Sequence, residues 1–315
     1  MPTACSRSKV RSPYLERARL QALQPALKQR SHILASIREW FDQAGFTEIE
    51  TPVRLPTPAL ELHIDAEPAG SAFLRTSPEL HMKRLLAAGY ERIVQMGPCF
   101  RKGERGTLHN PEYTMLEWYR AQADYLAIMA DTESLIRHIA SAHGPLPAAH
   151  CLLPTSPWPR MTVEELFLKH AGWNPVESYD AERFEQDLVD KVEPALPKDS
   201  PVFVMDYPAQ AAALSRRKPG RPQVAERVEL YINGVEIANG FSELTDPVEQ
   251  RQRFEEWGIE RAERGATVYP MDEAFLASLE LGMPPAAGIA VGIDRLVMVL
   301  LGANSLDEVM AFREF

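Results

Sequence analysis

The sequence lacks long apolar runs and has few cysteines. No stretch approaches the roughly 18 apolar residues of a membrane-spanning helix, and no apolar segment follows the charged N-terminus, MPTACSRSKVRS, as it would in a signal peptide. The three cysteines, Cys5, Cys99 and Cys151, are odd in number and far apart, so they suggest neither a disulfide framework nor a zinc site. We therefore expect a protein of the reducing cytoplasm with no membrane partner.

Catalytic patterns of two common kinds are also absent. No serine or cysteine has an obvious base partner, and no phosphate loop of the P-loop type occurs. The chain carries 34 basic and 44 acidic side chains, for a net charge of −10. This balance lowers the expectation of a protein that grips nucleic-acid phosphates along its length, although a local basic patch would still suffice.

The order of predicted elements favours an α+β fold. Apolar residues at helical spacing predict a first helix over 24–44, and apolar, aromatic runs predict antiparallel strands over 92–101 and 111–120. Asn233-Gly234 lies between two strand-like runs and is the preferred pair for a type I′ hairpin. Further helices are predicted over 77–89, 125–143, 249–265 and 294–302, and further strands over 46–55, 201–208 and 288–293. Because hairpins and irregular connections join the strands, we expect an antiparallel sheet flanked by helices.

One large domain accounts for most of the chain. Residues 1–14 are expected to form a flexible N-terminus, and residues 15–315 a single domain. Within this domain, 144–160 is a proline-rich connector and 161–198 is predicted to be a small helical insert. No internal repeat is present.

Several carboxylates lie where they could bind a ligand. Strand alternation places Glu117 and Tyr119 on one face, either as a binding surface or as the rim of a half-buried strand. Glu236 and Glu243 bracket the segment ANGFS, and their odd spacing would put them on opposite faces of a regular strand. Gly240 could break that strand and let both converge; otherwise both are solvated acids.

Helix starts supply further candidates. Glu79 follows Ser77, the predicted N-cap, and Pro78, so the helix dipole would keep its carboxylate ionised and ready for an ammonium group. Arg295 opens the last helix just after Gly292, which suits a phosphate, although an ion pair is the alternative. With Arg101 at a strand end, the arginines could hold phosphate and the carboxylates Mg²⁺ or an amine. This inventory suits nucleotide activation better than hydrolysis.

In their order along the chain, these segments resemble the catalytic domain of class II aminoacyl-tRNA synthetases, and within that family the lysyl branch. Helix 24–44 with FTEIETP resembles the first motif, in which Pro52 matches the dimer-forming proline. FRKGERGTLHNPEYTMLEWYR resembles the second motif and GIAVGIDRL the third, while TSPEL and ELYINGVEIANGFSELTD match lysyl-type segments. The resemblance covers about residues 15–315 and implies a homodimer that uses ATP and Mg²⁺.

Lysyl-tRNA synthetases carry an N-terminal β-barrel that reads the anticodon, and the domain here begins almost at Met1. The chain therefore resembles the truncated paralogues that attach (R)-β-lysine to a lysine side chain of elongation factor P, and no anticodon-binding domain or stable tRNA partner is expected. Two alternatives remain. One is a minimal lysyl-type synthetase that acts on tRNA or a small molecule, and the other is a non-catalytic, synthetase-like regulatory protein.

The resemblance implies roles for individual residues. Glu243 and Tyr119 would hold the distal ammonium of the lysine, and Glu79 the amine nearer its carboxylate; Glu236 would bind Mg²⁺ with ATP. The implied lysine site comprises Ser77, Pro78, Glu79, Tyr119, Glu243 and Ala290. The implied ATP site comprises Arg101, Lys102, Gly103, Glu104, His109, Asn110, Glu236, Ile237, Gly292 and Arg295, of which Arg101 and Arg295 would be catalytic.

Two positions depart from the family pattern. The second motif usually reads Arg-x-Glu, whereas here Arg101 is followed by Lys102, Gly103 and Glu104. Either Glu104 contacts the adenine from its shifted position or that contact is lost. Ala290 stands where lysyl-tRNA synthetases tend to have glycine, and its methyl group would reshape the amino-acid pocket in a way that fits the β-isomer.

Overall fold

Twelve strands and eight α-helices make up the part of the chain that the computed structural model describes, residues 12–143, 157–212 and 214–313. In chain order the strands are β1 (Thr47–Glu48), β2 (Arg54–Leu55), β3 (Pro68–Ala69), β4 (Ala72–Leu74), β5 (Arg92–Phe100), β6 (Glu112–Ala121), β7 (Arg160–Thr162), β8 (Val202–Pro208), β9 (Arg217–Lys218), β10 (Arg221–Ile232), β11 (Val235–Ser242) and β12 (Ala286–Gly292). The helices are α1 (Pro13–Gln43), α2 (Glu79–Ala87), α3 (Tyr125–Ala142), α4 (Val163–His170), α5 (Ala181–Asp187), α6 (Pro247–Glu263), α7 (Glu273–Glu280) and α8 (Ile293–Leu300).

A nine-stranded sheet forms the centre of the molecule. Its strands lie in the order β1-β5-β6-β12-β11-β10-β8-β7, with β9 paired to β10. The pairs β1–β5 and β7–β8 are parallel, and the other pairs of this sheet are antiparallel. Strands β2, β4 and β3 form a separate small sheet. The predicted α+β architecture is therefore confirmed.

The hairpin between β10 and β11 turns at Asn233-Gly234 as predicted. Asn233 has φ 54° and Gly234 φ 75°, and positive φ at both central residues is what a type I′ turn requires. Tyr231 pairs with Glu236 across the hairpin. This register decides which side chains of β10 and β11 face the same side of the sheet.

Helices cover the two faces of the sheet with separate cores. On one face, Ile37 of α1, Ile136 of α3 and Leu296 of α8 pack with Trp118 of β6. On the other face, α2, α6 and α7 contribute Met82, Phe254 and Phe275 to a second cluster that includes Tyr119. The alternation of β6 thus sends Trp118 into the first core and its neighbours Glu117 and Tyr119 to the opposite face.

The helical insert packs around one end of the sheet. Val163 and Phe167 of α4 and Phe184 of α5 contact Val202 and Tyr207 of β8 in a third apolar cluster. Both helices lie within the predicted range 161–198. The predicted connector 144–160 falls largely on residues 144–156, which lie outside the described residues.

Some predicted boundaries are wrong. Helix α1 starts at Pro13 and not at residue 24 as predicted, so Pro25 lies inside it. Pro13 and Tyr14 are therefore helical rather than part of a flexible N-terminus, and residues 1–11 lie outside the described residues. The predicted strand 46–55 is reduced to β1 and β2, because Pro52 between them has no N–H to donate to a ladder. Helix α2 begins at Glu79, two residues after the start of the predicted helix 77–89. Helix α7 was not predicted. No helix in the described ranges is long and apolar enough to cross a membrane.

Candidate active site

A cavity of about 670 Å³ opens on the sheet face that α2, α5 and α6 cover. Predicted lysine-site residues that line it are Ser77, Glu79, Tyr119 and Ala290, and predicted ATP-site residues that line it are Arg101, Glu104, His109, Asn110, Glu236, Ile237, Gly292 and Arg295. Four predicted residues, Pro78, Lys102, Gly103 and Glu243, are not among the lining residues. The fold therefore brings motifs from distant parts of the sequence to one cavity.

Strand β6 supplies the floor of the cavity. Tyr113, Met115, Glu117 and Tyr119 alternate along the strand and all line the cavity. Glu117 is only 2% exposed, so the interpretation of this residue as the rim of a half-buried strand is wrong. The shared face with Tyr119 was the signal in the sequence, yet Glu117 was not assigned to the site.

Two hydroxyl groups donate hydrogen bonds to Glu117. Its carboxylate accepts from Ser77 Oγ at 2.6 Å and from Tyr119 Oη at 3.2 Å. Burial, with a further contribution from the nearby Glu79 carboxylate, raises the pKa of Glu117 to about 8. A cation that binds beside this carboxyl group would favour its ionised form.

Lys83 occupies the position behind this floor. Its ammonium lies 2.5 Å from Glu79 Oε1, one helical turn away on α2, and it also pairs with Glu243. Burial by itself would lower the pKa of Lys83, but Glu243 and Glu79 raise it above its ordinary value, so the lysine stays charged. Sequence reasoning missed Lys83, although its spacing of four residues from Glu79 on a helix is a recognisable ion-pair pattern.

Glu243 and Glu236 do not converge through a break at Gly240. Strand β11 is continuous from Val235 to Ser242, and Glu243 follows its end in an isolated bridge with Ser215. Gly240 instead serves close packing, because a Cβ there would lie 2.6 Å from Gly288 O and Ile289 Cβ. Glu236 thus lines the cavity, whereas Glu243 is buried against Lys83.

Arg295 contacts three other residues of the cavity wall. Its Nη1 donates to Glu236 Oε2 at 3.3 Å and to the Glu236 carbonyl at 3.1 Å, and its Nε donates to the Leu108 carbonyl at 3.1 Å. Its Nη2 lies 2.6 Å from His109 Nε2. Burial, followed by the charge of Arg295, lowers the pKa of His109. A neutral His109 can therefore accept a hydrogen bond from Arg295.

Arg101 lines the same cavity. Its guanidinium is 5.3 Å from the centre of the Tyr113 ring, and its Nη1 is 3.7 Å from Glu104 Oε1. The Glu104 side chain thus reaches the cavity from its shifted position in the motif. Asn110 Nδ2 donates to the Glu112 carbonyl at 2.5 Å and shapes the turn into β6.

The start of α8 is fixed by contacts to two other elements. Asp294 accepts from the Thr114 backbone N–H of β6 at 2.8 Å and pairs with Arg30 of α1 at 2.7 Å. Gly292 is the N-cap residue. These contacts position the helix start, and with it Arg295, relative to β6.

Glu236 is the carboxylate best placed for a metal that arrives with a nucleotide. Glu229, its neighbour in the cavity wall, already accepts from Tyr207 Oη at 2.6 Å, Tyr231 Oη at 2.8 Å and Arg227 Nη2 at 2.6 Å. The described residues contain no cluster of three or more metal-binding side chains. Mg²⁺ commonly uses one or two carboxylates together with substrate phosphates, so Glu236 fits such an ion.

The sequence is similar to one protein family and to several named ligases. A family model described as "tRNA synthetases class II (D, K and N)" matches residues 6–314. The Vibrio cholerae protein named "Elongation factor P--(R)-beta-lysine ligase" is 38% identical over 318 residues, which cover 91% of this chain and 94% of that protein. The Klebsiella pneumoniae protein of the same name is 36% identical over 320 residues. The "Lysine--tRNA ligase" of Moorella thermoacetica is 38% identical over 325 residues, and the matched region covers 65% of it.

Proposed function

Because the chain belongs to the class II tRNA synthetase family, we propose that it activates (R)-β-lysine with ATP and transfers it to a lysine side chain of elongation factor P. Relatives that share 94% of their length with this chain carry the name of that ligase. The observation that carries the proposal is one cavity that is lined both by Arg101 and Arg295 and by the buried carboxyl groups of Glu79 and Glu117.

In the first step, the carboxylate of β-lysine attacks the α-phosphorus of ATP and displaces pyrophosphate, giving an acyl-adenylate. Arg101 holds the α-phosphate and Arg295 the far end of the triphosphate, so both guanidinium groups stabilise the charge that develops in the transition state. A Mg²⁺ ion, held by Glu236 together with the phosphates, would neutralise further charge. Most of the catalysis is positioning, because a cavity closed on several sides holds both reactants in line.

Selection of the amino acid rests on buried carboxylates. Glu117 and Tyr119 hold the distal ammonium, and Glu79 holds the amine nearer the substrate carboxylate. Glu243 acts through Lys83, with which it is paired. An ammonium group would give the Glu117 carboxylate the cation that its two hydroxyl partners do not supply, and a ligand without an ammonium group would gain no such ion pair. The methyl group of Ala290 in the cavity wall narrows the amino-acid site and favours the β-isomer.

In the second step, the amine of the acceptor lysine attacks the carbonyl carbon of the adenylate and AMP leaves. No covalent enzyme intermediate is required. We further propose that the protein works in the cytoplasm as a homodimer that forms through α1 and the loop at Pro52. Tyr14 and Leu15 of α1 are 86% and 69% exposed, and Pro52 is exposed as well, so these surfaces are accessible to a second subunit.

The decisive experiment compares substrates for both half-reactions. ATP–pyrophosphate exchange is measured with (R)-β-lysine, α-lysine and other amino acids, and transfer is then measured to purified elongation factor P and to bulk tRNA. We expect exchange with (R)-β-lysine and transfer to the protein. Exchange with no lysine isomer would refute the activation step, and stable charging of tRNA alone would favour the minimal synthetase. The Arg101→Ala variant should lose exchange, whereas Arg251→Ala, which removes a surface arginine paired with Glu273, should retain it.

A further inference from the structure

Glu61 differs from the other carboxylates of the cavity wall. Among the lining residues in the described part of the chain, every other Asp or Glu contacts a cation or, for Glu117, two hydroxyl groups. The Glu61 carboxylate has neither a hydrogen bond nor an ion pair to a protein group. It is therefore the acid of this wall that is available to a reacting group.

The backbone around Glu61 is held rigidly. Arg261 of α6 is 1% exposed, and its Nη1 donates to the Glu61 carbonyl at 2.8 Å and to the Leu62 and Ile64 carbonyls at 3.1 Å. Three hydrogen bonds from one buried guanidinium fix the loop between β2 and β3 against α6. The preceding residue, Leu60, is buried in the second core cluster. Glu61 thus enters the cavity from an anchored segment, which suits a catalytic group.

The charges around Glu61 suit proton transfer near neutral pH. Burial is the main cause that raises the pKa of Glu61 to about 7. The positive charges of Arg101 and Arg227 lower this pKa, and the negative charges of Glu79 and Glu104 raise it. All four of these side chains line the same cavity as Glu61. A carboxylate in this range is half ionised at neutral pH, where a general base is most effective.

The proposed transfer step requires such a base. A lysine side chain has an ordinary pKa of about 10.4, so the acceptor arrives as an ammonium ion without a lone pair for attack. Arg101, the group proposed to hold the α-phosphate, is the largest charge influence on Glu61. The reacting carbonyl of the adenylate is bonded through one oxygen to that phosphorus, and Glu61 lines the same cavity as Arg101, so the carbonyl and the Glu61 carboxylate would share this cavity.

We propose that Glu61 is the general base of the transfer step, taking a proton from the ammonium group of the acceptor lysine. This inference rests on the proposed function. The Glu61 carboxylate accepts one proton, and the free amine forms the C–N bond to the acyl carbon. The C–O bond to the phosphate breaks with AMP as the leaving group, and the second amine proton leaves to solvent. Glu61 then returns its own proton to solvent, so the step needs no further reactant.

The test separates the two half-reactions in a Glu61→Gln variant. Pyrophosphate exchange with (R)-β-lysine should stay within about twofold of the unaltered protein, which also shows that the variant is folded. Single-turnover transfer from preformed adenylate to elongation factor P should fall about 100-fold or more at pH 7. Capture of the adenylate by hydroxylamine, which is already uncharged at this pH, should be unchanged because it needs no base.

The pH profile and two further variants complete the test. In the unaltered protein, a plot of the logarithm of the transfer rate against pH should change slope near pH 7. In Glu61→Gln the rate should rise steadily with pH, because more of the acceptor amine is neutral. Glu61→Asp should recover part of the rate, and Glu260→Gln, a control at a lining carboxylate paired with Arg264, should transfer normally. Loss of exchange or of hydroxylamine capture in step with transfer would overturn the assignment, as would undiminished transfer. Failure of the unaltered protein to support exchange would instead refute the proposed function.

Discussion

The ammonium group of Lys83 is paired with the carboxylate of Glu243 behind the floor of the cavity, where the two residues are 0% and 1% exposed. Glu79 shares the same ammonium, and the Phe241 ring lies 5.1 Å from it. An internal cation thus compensates two carboxylates before any substrate binds. It leaves Glu117 as a buried carboxyl group of the floor whose partners are hydroxyls.

Removal of this cation should strongly destabilise the protein. In Lys83→Met, Glu79 and Glu243 would remain buried without their partner, and breaking a buried pair in this way typically costs about 3–5 kcal/mol. Urea unfolding of the single and double variants measures the effect. The double variant Lys83→Met/Glu243→Gln should recover part of the loss. Lys191→Met, which removes the exposed partner of Asp187, is the control and should change the midpoint little; an equally small change for Lys83→Met would contradict the prediction.

Affinity for the amino acid should increase with pH. Glu117 has a pKa of about 8 in the free protein, and an ammonium ligand stabilises its ionised form, so binding below that pH releases a proton. We therefore expect the dissociation constant of (R)-β-lysine to fall by up to about tenfold per pH unit between pH 6 and 8. Calorimetry in buffers of different ionisation enthalpy counts the released proton.

The matching control for this linkage is a pair of conservative variants. Glu117→Gln should remove the proton release and flatten the pH dependence, because the amide does not titrate. Glu61→Gln should keep both, since that residue is assigned to the acceptor and not to the amino acid. Proton release that persists in Glu117→Gln would assign the linkage to another group.

Arg295 should resist replacement by lysine. Its guanidinium donates from three nitrogens to Glu236, Leu108 and His109, and a lysine ammonium cannot reproduce this planar arrangement. We expect Arg295→Lys to raise the KM for ATP at least tenfold in pyrophosphate exchange, with a smaller effect on the KM for the amino acid. Arg251→Lys at the surface should leave both constants unchanged. An effect confined to the amino acid would refute the assignment of Arg295 to the nucleotide end.

Gly288 should not tolerate a side chain. A Cβ at this position would lie 2.2 Å from the Tyr119 ring, and that ring carries the hydroxyl that donates to Glu117. Gly288→Ala should therefore displace Tyr119 and weaken binding of the amino acid about tenfold or more, with little change in ATP binding. Gly258→Ala in α6, whose nearest contact would be 3.8 Å away, should bind normally and gain up to about 1 kcal/mol of stability. Equal amino-acid affinity in both variants would show that the Tyr119 position is not critical.

Local patterns were sufficient to predict much of the fold. The Asn233-Gly234 hairpin, the paired strands β5 and β6, and α3 follow from turn chemistry and from apolar periodicity, which act over a few residues. The errors had two causes. At Pro52 the missing N–H, a local effect, interrupts the predicted strand, whereas α7 packs through Phe275 and Leu276 into a core that forms from distant segments.

The candidate site shows the same division. The sequence by itself determined the family, the arginines at a strand end and a helix start, and the shared face of Glu117 and Tyr119, because motif order and side-chain alternation are properties of the chain alone. Only the tertiary structure decided that Lys83 forms an ion pair with Glu243 and that the Glu61 carboxylate lines the cavity without a protein partner. The physical reason is that charge compensation depends on which side chains meet across elements far apart in sequence, and burial then determines which carboxylate remains available to a ligand.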